Sequence, residues 1–181
     1  DKDPSSQAPR LFLVDCPELF DRTGIYGNQA DEHLRFLMLS RGAIEICQRL
    51  KWAPDIFHVN DWQTAMLPLL LKTVYGWDSL FHSTRSILTI HNIGHQGIFP
   101  TDVLEDLNLG DAETLLHQQD LSDGHINFLK TGLLYSDLLT AVSPTYAKEI
   151  QTSEYGMGLE HLLSARRSVL HGIVNGIDTE V

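Results

Sequence analysis

Basic charge is what this chain has too little of. Thirteen Lys and Arg stand against 24 Asp and Glu, a formal net charge of −11. Nucleic acids and anionic membranes are held by clustered cations, so the balance argues against both as partners. Cysteine is also scarce. Cys16 and Cys47 form no CxxC motif, which argues against a disulfide framework and fits reduced thiols in a cytoplasmic protein. No apolar run reaches the length of a bilayer span, and no secretory signal opens the chain. Several catalytic fingerprints are missing too. There is no HExxH, no GxSxG, no P-loop and no GxGxxG. His91 and His95 lie four apart, but Gly94 and a strand-end setting keep them off a shared helical face. Neither a metal nor a cofactor is expected.

What remains is an ordinary globular composition, 43% hydrophobic and 20% charged, in 181 residues, enough for one domain with a real core. Strand-like runs occur at Leu11–Asp15, Asp55–Asn60, Ile87–His91, Leu138–Val142 and Val169–Val174. Helical spacing appears over Glu32–Leu50, Asp61–Val74 (with Pro68 as a kink or break), His125–Tyr135, Pro144–Gln151 and Gly158–Ala165. Residues 98–124 are acidic and irregular, which suits short helices and a loop. Strands alternating with helices predict an α/β fold, a mainly parallel sheet with helices on both faces.

The most informative stretch is Ser86–Gly97, Ser-Ile-Leu-Thr-Ile-His-Asn-Ile-Gly-His-Gln-Gly. A buried-type strand ends abruptly at His91-Asn92, and a polar loop follows. In open α/β sheets ligands bind at the carboxyl ends of the strands. The loop carries hydrogen-bonding and proton-transfer groups but no phosphate cradle, so it suits a polyhydroxylated substrate. Its bland alternative is a polar loop that bonds its own backbone. A second cluster, His58-Val-Asn60-Asp61-Trp62-Gln63, ends the preceding strand. Here Asp61 can act in a site or cap the next helix, and His58 reads as a satisfied core histidine. Asn175-Gly-Ile-Asp178 follows the last strand and is also a strong turn signal. Arg22-Thr-Gly-Ile-Tyr26-Gly-Asn28 is glycine-punctuated, with Tyr26 able to stack on a sugar ring.

Seven stretches, in order over about 160 residues, carry a resemblance. They are Tyr26-Gly-Asn28, His58–Gln63, Leu88–Asn92 with Gln96-Gly97, Asn127–Gly132, Thr140–Ala147 with Glu149-Ile150, Tyr155–Glu160 and Asn175–Asp178. Together they resemble the bacterial glycogen synthase and plant starch synthase family, retaining glucosyltransferases of the two-domain GT-B architecture. The resemblance implies a Rossmann-like domain over residues 10–181, part of an N-terminal, acceptor-side domain, preceded by a flexible polar start at 1–9. It implies ADP-glucose or UDP-glucose as donor, an α-1,4-glucan as acceptor, and cytoplasmic location, or the plastid in a plant. It implies that His91 contacts the donor glucose, Asp61 orients or electrostatically supports the reacting sugars, and Asn175 hydrogen-bonds the transferred glucose. Tyr26 would lie where the glucan enters, and Asn92 and Gln96 would shape the same pocket.

The chain departs from the family at Asn60 and Gln63, where many members carry histidine, and at His161, where glycine is usual. The family's Lys-Gly-Gly phosphate motif does not occur in it, nor does a second, nucleotide-binding domain. The chain therefore reads as an excised piece that is expected to be inactive alone. The rival readings are a noncatalytic glucan-binding or regulatory domain, or a GT-B transferase of sucrose or trehalose-phosphate type.

Overall fold

A computed structural model describes residues 9–24, 27 and 29–177. A short turn of helix, α1 (Pro17–Phe20), begins at a proline and precedes the long helix α2 (Glu32–Leu50). Helix α2 buries Phe36, Leu37, Ser40, Ile44 and Cys47, a stripe at helical spacing, and stops where Lys51 enters the left-handed region. Strand β1 (Ile56–Asn60) leads into α3 (Asp61–Thr64) and α4 (Leu67–Lys72). Strand β2 (Arg85–Ile90) is followed by β3 (Ile98–Pro100), then the short helices α5 (Leu104–Leu107) and α6 (Gln118–Ser122). Strand β4 (His125–Asn127) runs into α7 (Phe128–Tyr135), and β5 (Leu138–Ala141) into α8 (Pro144–Glu149). Helix α9 (Glu160–Ala165) and strand β6 (Leu170–Gly172) complete the order.

The main sheet has the order β1-β2-β5-β6 with every pairing parallel. This is the mainly parallel, helix-flanked α/β sheet that the alternating pattern predicts. Val59, Leu88, Ile90, Leu139 and Ala141 are buried and share one core with Ile44, Leu69, Leu70, Leu129 and Leu133 from the helices. Helix α7 comes so close to the α3–α4 junction that a Cβ on Gly132 would lie 2.6 Å from the Ala65 Cβ. The other sheet face carries a polar row, Asn60, Thr89, Thr140 and His171, in one register line.

Four expectations change. Leu11–Asp15 is not a strand. Leu11 and Leu13 are exposed and no described strand offers them a hydrogen-bonding ladder, without which a β-prone run stays irregular. The single helix over Asp61–Val74 is two, broken before Pro68, which sits in the first turn of α4 where its missing N–H costs nothing. The helix expected from His125 starts at Phe128. Residues 125–127 instead pair antiparallel with β3, and the Asn127 side chain accepts the Lys130 N–H as a cap. His58 is not in the core. It is exposed on an edge strand and bonds the Thr89 hydroxyl at 2.6 Å. The Ser143-Pro144 start of α8 forms as expected, Ser143 Oγ accepting the Tyr146 N–H at 2.9 Å.

Candidate active site

Because the four strands are parallel, their carboxyl ends share one edge. Asn60-Asp61 leaves β1 there, His91-Asn92 leaves β2, Ser143 follows β5, and Asn175 lies three residues past β6. The densest contacts are between the first two. Asp61 has a φ of +50°, in the left-handed region, which turns the chain sharply from strand to helix. Its carboxylate does not cap its own helix. Instead Asp61 Oδ1 accepts the backbone N–H of His91 at 2.7 Å and of Asn92 at 3.2 Å. Thr64 Oγ1 satisfies the helix start, accepting the Asn60 N–H at 2.7 Å and donating to the Asn60 carbonyl at 2.9 Å.

The imidazole of His91 is exposed and its Nε2 lies 2.9 Å from Asn60 Oδ1. Asn92 Oδ1 accepts the Gly94 N–H at 3.0 Å, closing a local turn. Ile93 is held from the other side, its N–H donating to the Tyr146 hydroxyl of α8 at 2.9 Å. Gln96 has both ends of its amide engaged. Nε2 donates to the Met157 carbonyl at 3.0 Å, and Oε1 accepts from Asn127 Nδ2 at 2.6 Å. Gly97 has a φ of +63°, and a Cβ there would lie 2.3 Å from the Trp62 ring. The β2 loop is thus pinned by β1, by α8 and by the Asn127 corner, and presents His91 and Asn92 to solvent.

Of the residues singled out from sequence, Asp61, His91 and Asn92 come together, while Gln96, in the same loop, turns to Asn127 and Met157. Asn175 is exposed at the same edge. β5 separates β6 from β2, a spacing of about 10 Å. Tyr26, Asn28 and Asp178 lie outside the described residues. Arg22 forks onto Asp31 at 2.8 and 2.5 Å. This pairing holds the Asp31 carboxyl below the usual range and pushes the Arg22 guanidinium up. His95 is exposed, and the half-buried Trp62 packs against Phe36 and Phe99. Sequence reasoning missed two contributors. Asn60 reads from sequence as a departure from the family's usual histidine, although its place at the strand end is a signal. Tyr146 stands in a quoted stretch, but nothing local marks its hydroxyl as a loop anchor. Among the described residues no group of three or more His, Cys, Asp or Glu could hold a metal ion.

An exposed histidine beside a polar loop at a sheet's carboxyl edge suits hydrogen bonding to a hydroxyl-rich ligand. The family model described as the starch synthase catalytic domain matches residues 3–165. Glycogen synthase from Thermodesulfovibrio yellowstonii is 44% identical over 181 residues, covering 97% of this chain and 36% of that protein. Glycogen synthase from Myxococcus xanthus is 48% identical over 175 residues, covering 93% and 36%. The catalytic domain of starch synthase IV from Arabidopsis thaliana, solved bound to ADP and acarbose, superposes with a TM-score of 0.78 at 38% identity. That match covers 86% of this chain and 32% of the solved one. The chain thus spans about a third of the length of the relatives it matches. With the family match running over most of its length, the chain belongs to the starch synthase catalytic domain family.

Proposed function

We propose that this chain forms the acceptor-side wall of a retaining glucosyltransferase cleft. The complete polypeptide would move glucose from ADP-glucose or UDP-glucose to the nonreducing end of an α-1,4-glucan. The observation that carries the reading is the pinned His91-Asn92 corner at the carboxyl edge, in a chain whose relatives are glycogen synthases. In the transfer, the bond from the glucose anomeric carbon to the diphosphate breaks. The nucleoside diphosphate leaves with the electron pair. The acceptor hydroxyl oxygen forms the new bond, and its proton passes to the departing diphosphate.

The reacting glucose becomes oxocarbenium-like, so the protein must fix geometry and place negative or carbonyl oxygen near it. His91 would contact the donor glucose through its ring and its backbone carbonyl. Asn92 and Asn175 would hydrogen-bond sugar hydroxyls, and Tyr26 would meet the incoming glucan. Asp61 supports this arrangement mainly through the His91 and Asn92 amides, which it holds in place. Gln96 supports it by tying the loop to Asn127 and Met157. Both serve the pocket's shape. The cations that would neutralise the diphosphate would come from a second domain, in the part of the relatives that this chain does not match.

The test is a glucosyl-transfer assay. The complete natural polypeptide is expected to elongate malto-oligosaccharides with a nucleotide-glucose donor, and its His91→Ala variant to lose transfer by about a hundredfold or more. The 181-residue chain alone is expected to show essentially none. Wild-type turnover in His91→Ala removes His91 from the site. Saturable glucan binding with no transfer by the complete polypeptide replaces the reading with a noncatalytic glucan-binding domain.

A further inference from the structure

The backbone around Asn60 is clamped more tightly than its exposure requires. Thr64 Oγ1 takes its N–H and gives a hydrogen bond to its C=O, while the strand register sets it beside Thr89. One residue on, Asp61 anchors the His91 amide. The side-chain bond from His91 to Asn60 therefore spans two fixed pieces of backbone, at 2.9 Å. The Asn60 amide nitrogen points toward the His58 carbonyl, 3.5 Å away, which leaves its oxygen facing His91. An amide oxygen only accepts. The imidazole must then donate through Nε2, and the neutral ring keeps its lone pair on Nδ1.

We propose that Asn60 is a positioning residue that holds His91 as the Nε2–H tautomer, leaving Nδ1 to accept a hydrogen bond from a sugar hydroxyl. This rests on the reading that His91 contacts the donor glucose. Its consequence is specific. His91 in this state acts as an acceptor toward substrate, and Asn60 sets that role without touching the sugar. Since an amide does not titrate, the role needs no change of protonation in its partner.

The experiment uses the complete natural polypeptide with ¹⁵N-labelled histidine. Imidazole nitrogen shifts assign the tautomer of His91, identified by its loss in His91→Ala. Wild type is expected to show Nε2–H. Asn60→Asp keeps an acceptor oxygen in the same place and should keep the proton on Nε2. Asn60→Leu has the same branching and no acceptor. It should show mixed tautomers and a kcat/KM about tenfold lower, the factor one hydrogen bond supplies. If Asn60→Leu retains the Nε2–H tautomer, or shifts it while kcat/KM stays unchanged, the proposal is overturned. Wild-type transfer by His91→Ala would instead remove the reading of His91, whatever the tautomer spectra show.

Discussion

At Asp61 one residue carries a backbone turn and a cross-strand anchor. Its φ of +50° is a conformation that Asn and Asp tolerate better than other non-glycine residues. Its carboxylate oxygen accepts two backbone N–H groups from the next strand's end. Asp61→Asn keeps an oxygen acceptor and the left-handed preference. Asp61→Ala keeps neither. Urea unfolding is expected to show Asp61→Ala destabilised by about 2 kcal/mol and Asp61→Asn by about 1 kcal/mol or less. Equal losses in the two variants would mean that neither the turn nor the amide bonds matter. The sequence announces a carboxylate at a strand end, and a helix cap is the local default for it. Only the register between β1 and β2 shows that Asp61 faces the His91 amide instead, because the partners are 30 residues apart.

Elements decide whether the site's loop stays in place. The Gln96 and Gly97 carbonyls accept the N–H groups of Leu129 and Phe128 at 3.0 Å, so the loop is fastened to the start of α7. That closeness depends on Gly97, which lies against Trp62 with positive φ. Gly97→Ala would force both a strained backbone and a shift of the indole. A thermal melt should show a loss of about 1–3 kcal/mol, with the His91 loop exchanging its amide hydrogens faster. An unchanged melt would show that Trp62 yields freely. At this scale the strand ending at His91, the long helix α2 and the Ser143 cap were legible, since each rests on local periodicity or capping. The β3–β4 pair was not. Ile98–Pro100 and His125–Asn127 are short, and their ladder exists only between them.

At the scale of the whole molecule, a half-exposed ionic junction joins the two central strands to the helical layer. Asp137, just before β5, accepts from Lys72 Nζ at 2.8 Å and from the Ser86 N–H at 2.7 Å and hydroxyl at 3.0 Å. Burial pushes its carboxyl up, but the bonds from Lys72 and Ser86 outweigh burial and leave it below the ordinary value of 3.8. Folding therefore depresses this group. Its stabilisation is complete above the ordinary Asp value and disappears as pH falls through the lower folded value. The Tm gap between wild type and Asp137→Asn should be widest above the ordinary Asp value and should narrow as pH falls through the lower folded value. A gap constant across that range would show that the carboxylate's charge contributes nothing.

By itself, the sequence determined the succession of strands and helices, the polar strand end at His91 and the family to which the chain belongs. Those follow from side-chain periodicity, from capping chemistry and from motif order, all of which are readable along the chain. Tertiary structure alone decided that Asn60 meets His91, that Asp61 grips two amides rather than its own helix, and that Gln96 spends its amide on Asn127 and Met157. The reason is the geometry of a parallel sheet. The crossovers bring together residues far apart in the chain, Ile56 with Arg85, Ile87 with Leu138 and Leu139 with Leu170, and no local pattern records which pairs the register will align.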